Sequence, residues 1–328
     1  MNILGIETSC DETAAAVVKD GQFILSNIVA SSLNEHKKYG GIIPEIASRH
    51  QLEWIKTVVE KSLSKAKVRW SSIQAIALTQ SPGLMGSLLV GISFARALSY
   101  ATHKPLIEVD HIKAHLYANF LRKSEPSQRP ETRRFTPPAL PAIGLVVSGG
   151  HTSLFHIKTY KKFELVGQTR DDAAGEAFDK VARILKLGYP GGPIIDRLAK
   201  RGESPHPLRF PCADLPDSYD FSFSGIKTAV LYYQQAHQGR GDFSIPKIAN
   251  AFQASIVSIL IKKCISLCLR KKIKTLVVGG GVASNSSLRE KLTQAGKENA
   301  ISVFFPRPEL CLDNAAMVAG LGYHLFHC

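Results

Sequence analysis

Two stretches of this 328-residue chain are written on one skeleton. Residues Asn2–Glu7 alternate as a buried strand, turn through Thr8-Ser9-Cys10-Asp11-Glu12 and return over Thr13–Lys19, the signature of a hairpin. Ala142–His156, AIGLVVSGGHTSLFH, is a second hairpin with Gly144, Ser148 and Thr152 where the first has Gly5, Ser9 and Thr13, both spaced G-x-x-x-S-x-x-x-T. Three matched positions carry little alone, but the order of elements beyond each hairpin repeats too. After the first, the pattern predicts a helix over about Pro44–Lys65, a strand Ile73–Thr79, a Pro82-Gly83 turn, a helix over about Ser87–Ala101, a strand Leu106–Val109 and a helix opening at His111. After the second come a helix over about Gly175–Leu187, a PGGP turn, a helix from Pro193 and a basic, irregular section Gly202–Asp220. A helix Ile245–Leu269, a strand Thr275–Val278, the turn Gly279-Gly280-Gly281, a helix, a strand Ile301–Phe305 and a final helix opening near Asp313 complete that half. Both halves end strand, turn, helix, strand, helix, and their last helices begin with His111 and Asp313 at corresponding places. Such alternation calls for an α/β fold with one mostly parallel, helix-flanked sheet per half, whose ligands gather at the strand carboxyl ends. The length also exceeds a usual single core.

Between the halves, Arg122–Pro141 holds five prolines, mixed charge and no apolar period, and reads as a flexible basic insertion. Lys+Arg of 41 against Asp+Glu of 27 gives +14, a surplus that favours polyanions, nucleic acid first and anionic membrane second. The six cysteines (Cys10, Cys212, Cys264, Cys268, Cys311, Cys328) show no C-x-x-C pair and are expected to be reduced thiols of a cytosolic protein. The first residues enter a strand directly, without a basic leader, so no signal peptide is expected. Ile245–Leu269 is apolar and long, yet Lys262 and Lys263 sit at its middle, which predicts a core helix rather than a membrane span.

His111 and His115 stand four apart on one helix face, where two imidazoles can grip one metal ion at about 2.0–2.1 Å each. A zinc peptidase needs a glutamate after the first histidine, and here that residue is Ile112. Two plain surface or core histidines remain the alternative. Asp313 is either the N-cap of an Ala-rich helix or a third ligand to that metal; His₂Asp suits zinc or iron. Ser148-Gly149-Gly150-His151-Thr152 offers bare backbone N–H groups to phosphate or carboxylate, or is simply a tight turn. The matching first turn is acidic, with Asp11 and Glu12. Gly279-Gly280-Gly281 is equally a place for a nucleoside near Asn285 and a turn shaped by glycine. Asp171 and Asp172 read as first-turn acids of a helix, and Asp179 with Tyr189-Pro190-Gly191-Gly192-Pro193 and Asp196 can face one ligand.

Ten motifs (IETSCDET, HKKYGGIIPEIASRH, SPGLMGSLLVG, DHIKAH, VSGGHT, DDAAGEAFDK, YPGGP, SFSGIKTAV, GGGVASN and CLDNAAM) occur in the order found in the tRNA threonylcarbamoyladenosine transferase family, which the chain resembles over nearly its whole length. The resemblance implies two duplicated actin-like (ribonuclease H-like) domains with a cleft between them: 1–121 completed by a C-terminal helix at about 307–328, and 142–306 with the adenylate motifs. It implies transfer of threonylcarbamoyl from threonylcarbamoyl-AMP to the exocyclic amine of the adenosine 3′ of the anticodon, in tRNAs reading codons that begin with A. Carried over by motif, His111, His115 and Asp313 hold one metal ion, iron first and zinc second. Val146, Val147, Ser148, Gly149, Gly150, Asp179, Gly192, Asp196 and Asn285 contact the adenylate, and Glu12 serves turnover. The implied setting is the cytoplasm, with a shorter paralogous subunit of the same fold, a small P-loop ATPase, no membrane, and a homodimer as a further option. The mixed anhydride is already activated, so no protein nucleophile is called for. A metallopeptidase, a sugar kinase or ATPase, and a non-catalytic RNA-binding scaffold are the competing readings.

Overall fold

Ile3–Glu7 and Thr13–Val18 are buried without a break, as strands covered on both faces must be. In the computed structural model, which describes residues 1–123, 136–202, 208–240 and 243–326, they form the centre of a six-stranded sheet. Its elements are β1 (Asn2–Glu7), β2 (Glu12–Lys19), β3 (Phe23–Ser31), helices α1 (Leu33–Lys37) and α2 (Pro44–Ala66), β4 (Ile73–Ser81), α3 (Met85–Thr102), β5 (Leu106–Asp110), α4 (His111–Tyr117) and β6 (Arg122–Lys123). The order is β5-β4-β1-β2-β3-β6, antiparallel from β1 through β3 and parallel elsewhere. Pro44 opens α2 after an extended Ile43, where its missing N–H costs nothing. The helix buries Ala47, Gln51, Ile55, Val58, Val59, Ser62 and Leu63 at helical spacing, against Leu4, Ile6, Ala15 and Val17. Gly5 points to the other face, where the C-terminal helix Ala315–Phe326 lies so close that a Cβ there would sit 2.3 Å from the Ala315 carbonyl oxygen.

The second sheet comprises β7 (Ala142–Val147), β8 (Thr152–Ile157), β9 (Phe163–Gln168), β10 (Thr275–Gly279) and β11 (Ser302–Phe304), in the order β11-β10-β7-β8-β9. Helices α5 (Ala174–Ile184), α6 (Gly191–Ala199), α7 (Ser224–His237), α8 (Ile245–Lys271) and α9 (Ser286–Glu298) belong with it, and α10 (Ala315–Phe326) returns to the first sheet. The chain thus divides into Met1–Pro138 with Pro306–Cys328, and Ala139–Phe305. The duplication holds residue by residue: Gly5 pairs with Ala16 and Glu7 with Ala14, as Gly144 pairs with Phe155 and Val146 with Ser153. Each hairpin is flanked by a third antiparallel strand on one side and two parallel strands on the other.

Several expectations change. β3, β9 and α7 lie where the sequence pattern showed no element. Residues Arg122 and Lys123, read as the start of the insertion, pair with Phe23 and Ile24, and the Arg122 guanidinium lies 4.1 Å from the Phe23 ring centroid. The core of that insertion, 124–135, lies outside the described residues, as do 203–207 of the irregular section. Asp171 does not cap α5: its carboxylate accepts bonds from the Ser222 and Ser224 hydroxyls and the Phe223 amide, tying down the start of α7. Asp172 pairs with Lys180 and Lys227. α8 is long and apolar enough to cross a membrane, but it packs on α6 and α9 within its own unit, with Ile248, Phe252, Ile256, Leu260, Cys264 and Leu267 buried. Lys263, 4% exposed, donates to the Leu215 and Ser218 carbonyls.

Candidate functional site

β5 ends at Asp110, whose carboxylate accepts from the Lys113 amide and so starts α4 with His111 and His115 one turn apart on a buried face. Asp313 reaches the same place from the segment before α10. Its Oδ1 lies 3.6 Å from His111 Nε2 and 3.1 Å from His115 Nε2, and one donor atom from each residue falls within 4.8 Å of the other two. Asp313 does not cap α10, because the Asn314 side chain accepts from the Met317 amide instead. His115 is 1% exposed; Asp313 stands beside its Nε2 without the alignment of a hydrogen bond, and among the described residues neither ring nitrogen has a hydrogen-bond partner. Two imidazoles and a carboxylate around such an unsatisfied buried nitrogen fit a zinc or iron ion. Ile112, in the place of a peptidase's base, is buried in the core.

His111 makes its second contact on the other ring nitrogen: Nδ1 lies 3.1 Å from both Glu7 Oε2 and Ser9 Oγ. Burial alone would push this imidazole's pKa down, but the Glu7 and Asp313 carboxylates more than offset it and hold the value up to about 9. The acidic turn lies in the same unit, and its backbone is held from outside. Leu84 N donates to Ser9 O, Gln51 and Ser87 to Cys10 O, Ser32 to Asp11 O, and Gln51 to Glu12 O. Glu12 accepts from Ser31 Oγ at 3.3 Å. Burial, then Asp313 and Asp11, hold its carboxyl well above the ordinary range, and burial and the same acids push the Cys10 thiol up. A cation at Asp313 would relieve that repulsion.

The adenylate candidates all fall in the other unit, strung along one chain of contacts. Val146 and Val147 close β7 and are buried; Ser148 O accepts from the Gly175 amide in α5. Asp179 of α5 accepts from the Gly191 amide at the start of α6 at 2.7 Å. Burial raises the Asp179 carboxyl, with the Gly191 and Gly192 amides pulling the other way. Asp196 of α6 accepts from Ser286 N at 3.2 Å and Oγ at 2.8 Å, at the start of α9. Asn285 caps α9 through Leu288 N and donates to Gln253 of α8. Gly280, at φ +93°, seals the chain: a Cβ there would lie 2.3 Å from the Val147 carbonyl oxygen. Gly149, Gly150 and Gly192 face open space. Helix starts and bare glycine backbone are the groups from which anion sites are built, and the contacts that Asp179, Asp196 and Asn285 make here brace the loops between those helices.

Sequence reading passed over Glu7 and Thr79. The signal was present: β1 ends on a buried acid where its duplicate β7 has Val146.

A family model described as tRNA N6-adenosine threonylcarbamoyltransferase matches residues 23–320. Curated relatives of that name include one from Clostridium kluyveri, 48% identical over 98% of this chain and 92% of its own length. Another is from Caldicellulosiruptor saccharolyticus, 49% identical over 98% of this chain and 92% of its own. Among solved structures, component A of the (R)-2-hydroxyglutaryl-CoA dehydratase of Acidaminococcus fermentans superposes with a TM-score of 0.54 at 16% identity, over the full length of both chains. Full-length HypF in its phosphate- and nucleotide-bound form gives 0.60 at 14% identity, over 98% of this chain and 54% of its own. At such identities these two show the fold alone, and they match the actin-like architecture expected from the sequence.

Proposed function

This chain belongs to the tRNA N6-adenosine threonylcarbamoyltransferase family, and we propose from that premise how its residues carry threonylcarbamoyl to the N6 amine of a tRNA adenosine. The observation that carries the reading is that a match over nearly the whole chain coincides with a His₂Asp group in which the buried His115 has Asp313 at 3.1 Å and, among the described residues, no aligned hydrogen-bond partner. The donor is threonylcarbamoyl-AMP and the acceptor the adenosine 3′ of the anticodon. The amine attacks the carbamoyl carbon, a C–N bond forms, the bond from that carbon to the phosphate oxygen breaks, and AMP leaves while the amine loses one proton. Gly149 and Gly150 with the starts of α5 and α6 hold the anionic group, and Asp179 and Asp196 present carboxylate oxygens to ribose hydroxyls. His111, His115 and Asp313 hold a metal ion, iron first and zinc second, which supplies Lewis-acid polarisation of an oxygen when bound. Glu12, whose carboxyl burial and the neighbouring acids hold above the ordinary range, is the group placed to take the amine's proton.

The shorter paralogous subunit and the small P-loop ATPase act alongside it in the cytoplasm. Leu52 of α2 and Met85 and Leu89 of α3 are 71%, 82% and 61% exposed on two helices that pack together, a surface suited to a subunit of the same fold. The test supplies the chain, both partner proteins, tRNA, threonine, bicarbonate and ATP, and measures modified adenosine by mass spectrometry of tRNA digests. Threonylcarbamoyladenosine that disappears on omitting the chain is expected. An unmodified adenosine in the complete mixture, with tRNA and partners verified on another member of the family, overturns the reading.

A further inference from the structure

The duplication is an internal control on which buried groups the fold requires. Glu7 closes β1 at 0% exposure, and its register counterpart Val146 closes β7 at 0%. The neighbouring parallel strand repeats the contrast. β4 runs beside β1 with Ala77 opposite Gly5 and Leu78 opposite Ile6, while β10 runs beside β7 with Val277 opposite Gly144 and Val278 opposite Leu145. The next place holds Thr79, 2% exposed, in the first sheet and Gly279 in the second. One sheet closes this corner with a valine and a glycine, so the carboxylate and hydroxyl of the other serve something besides the sheet. Burying a carboxylate is costly unless donors surround it, and the three groups that meet Glu7 are the Ser9 amide, the Thr79 hydroxyl and the His111 imidazole. Oε1 accepts from the Ser9 amide at 2.5 Å; Oε2 accepts from Thr79 Oγ1 at 2.5 Å and faces His111 Nδ1 at 3.1 Å. A carboxylate only accepts, so the Nδ1 proton of His111 points to Glu7, and the nitrogen that a cation would take, displacing its proton, is Nε2, the one facing Asp313.

We propose that Glu7, braced by Thr79 and the Ser9 amide, is a positioning residue that fixes the tautomer and orientation of His111 and strengthens it as a metal ligand. Carboxylate–histidine–metal chains of this kind tune metal affinity without touching the ion. The inference rests on the reading of His111, His115 and Asp313 as a metal centre. Its test titrates the full chain with Zn²⁺ against a competing chelator and records the absorption bands of the Co²⁺ form, for the unaltered protein, His111→Ala and Glu7→Val. The valine is the residue that the second sheet itself carries at this place. Glu7→Val should unfold cooperatively, bind zinc roughly 10–100-fold more weakly and show shifted cobalt bands. Unchanged affinity with an unchanged cobalt spectrum overturns the proposal while leaving the metal centre standing. An unaltered chain that binds no zinc, or His111→Ala binding it fully, overturns the metal centre and the role of Glu7 together. Should Glu7→Val fail to fold, Glu7→Gln, which keeps an acceptor and loses the charge, carries the test: about tenfold weaker binding is expected, and full affinity overturns it.

Discussion

Neighbouring residues of one type of chemistry divide the work at the ends of elements, and Asp313 and Asn314 are a case. From the sequence Asp313 was as good a helix cap as a ligand, because both roles ask for a short oxygen-bearing side chain. Only the folded chain shows Asn314 accepting from Met317 N at 3.2 Å and Asp313 turned to the histidines. Asn314→Ala should therefore cost about 1 kcal/mol in chemical denaturation and keep the metal, whereas His115→Ala should lose stoichiometric metal and keep the fold. Metal analysis and unfolding on the same samples decide it. The glycines separate in the same way. Gly150 faces open space, so Gly150→Val should leave the unfolding temperature unchanged and abolish adenylate binding in calorimetry; unchanged affinity would refute the loop's role. Gly280, at positive φ and against Val147, should cost roughly 1–3 kcal/mol when changed to Ala. The histidine pair was legible because helical spacing alone puts His111 and His115 together. The Glu7 contact was not, since it joins residues 104 apart in the chain.

At the level of elements, what the sequence showed was what local periodicity can carry. β1, β2, β7, β8 and α2 have continuous or helically spaced apolar residues and lie where the pattern put them. β3 mixes Ser26 and Asn27 into a half-buried strand, with Ser26 satisfied by Val17 N of β2 and by the Ser62 hydroxyl of α2, so no alternation announces it. The start of α7 has no side-chain cap of its own and is held by Asp171, some 50 residues earlier. That clamp gives a pH prediction. Burial acts to raise the Asp171 carboxyl, but the bonds from Ser222, Phe223 and Ser224 outweigh it and hold it below its ordinary 3.8. A depressed carboxylate contributes stability that is present above its unfolded value and lost as pH falls through the folded one. Asp171→Ala should lower the denaturation midpoint at neutral pH, and its gap to the unaltered chain should close as pH falls below 3.8. A gap that stays constant into acid would show that the carboxylate's charge plays no part in holding α7.

For the whole molecule the governing quantity is the surplus of 41 basic over 27 acidic side chains, which no single element accounts for. A charge of +14 attracts any polyanion, so on the proposed function it should set how strongly tRNA is held and how fast it arrives, while the choice of adenosine should fall to the contacts at the base itself. The two contributions separate in salt. Each phosphate neutralised releases counterions, so the logarithm of the tRNA affinity should fall linearly with the logarithm of salt concentration, with a slope of roughly −0.7 to −0.9 per phosphate contacted. Fluorescence anisotropy with labelled tRNA across a salt series measures it. Replacing one lysine that touches phosphate should weaken binding to cognate and non-cognate tRNA alike and reduce the slope by about 1, leaving the selection of the modified adenosine as it was. The substitutions at His115 and Gly150 should do the reverse, removing turnover or donor binding with the slope intact. A slope near zero would mean that uncharged contacts hold the tRNA and that the basic surplus serves some other polyanion.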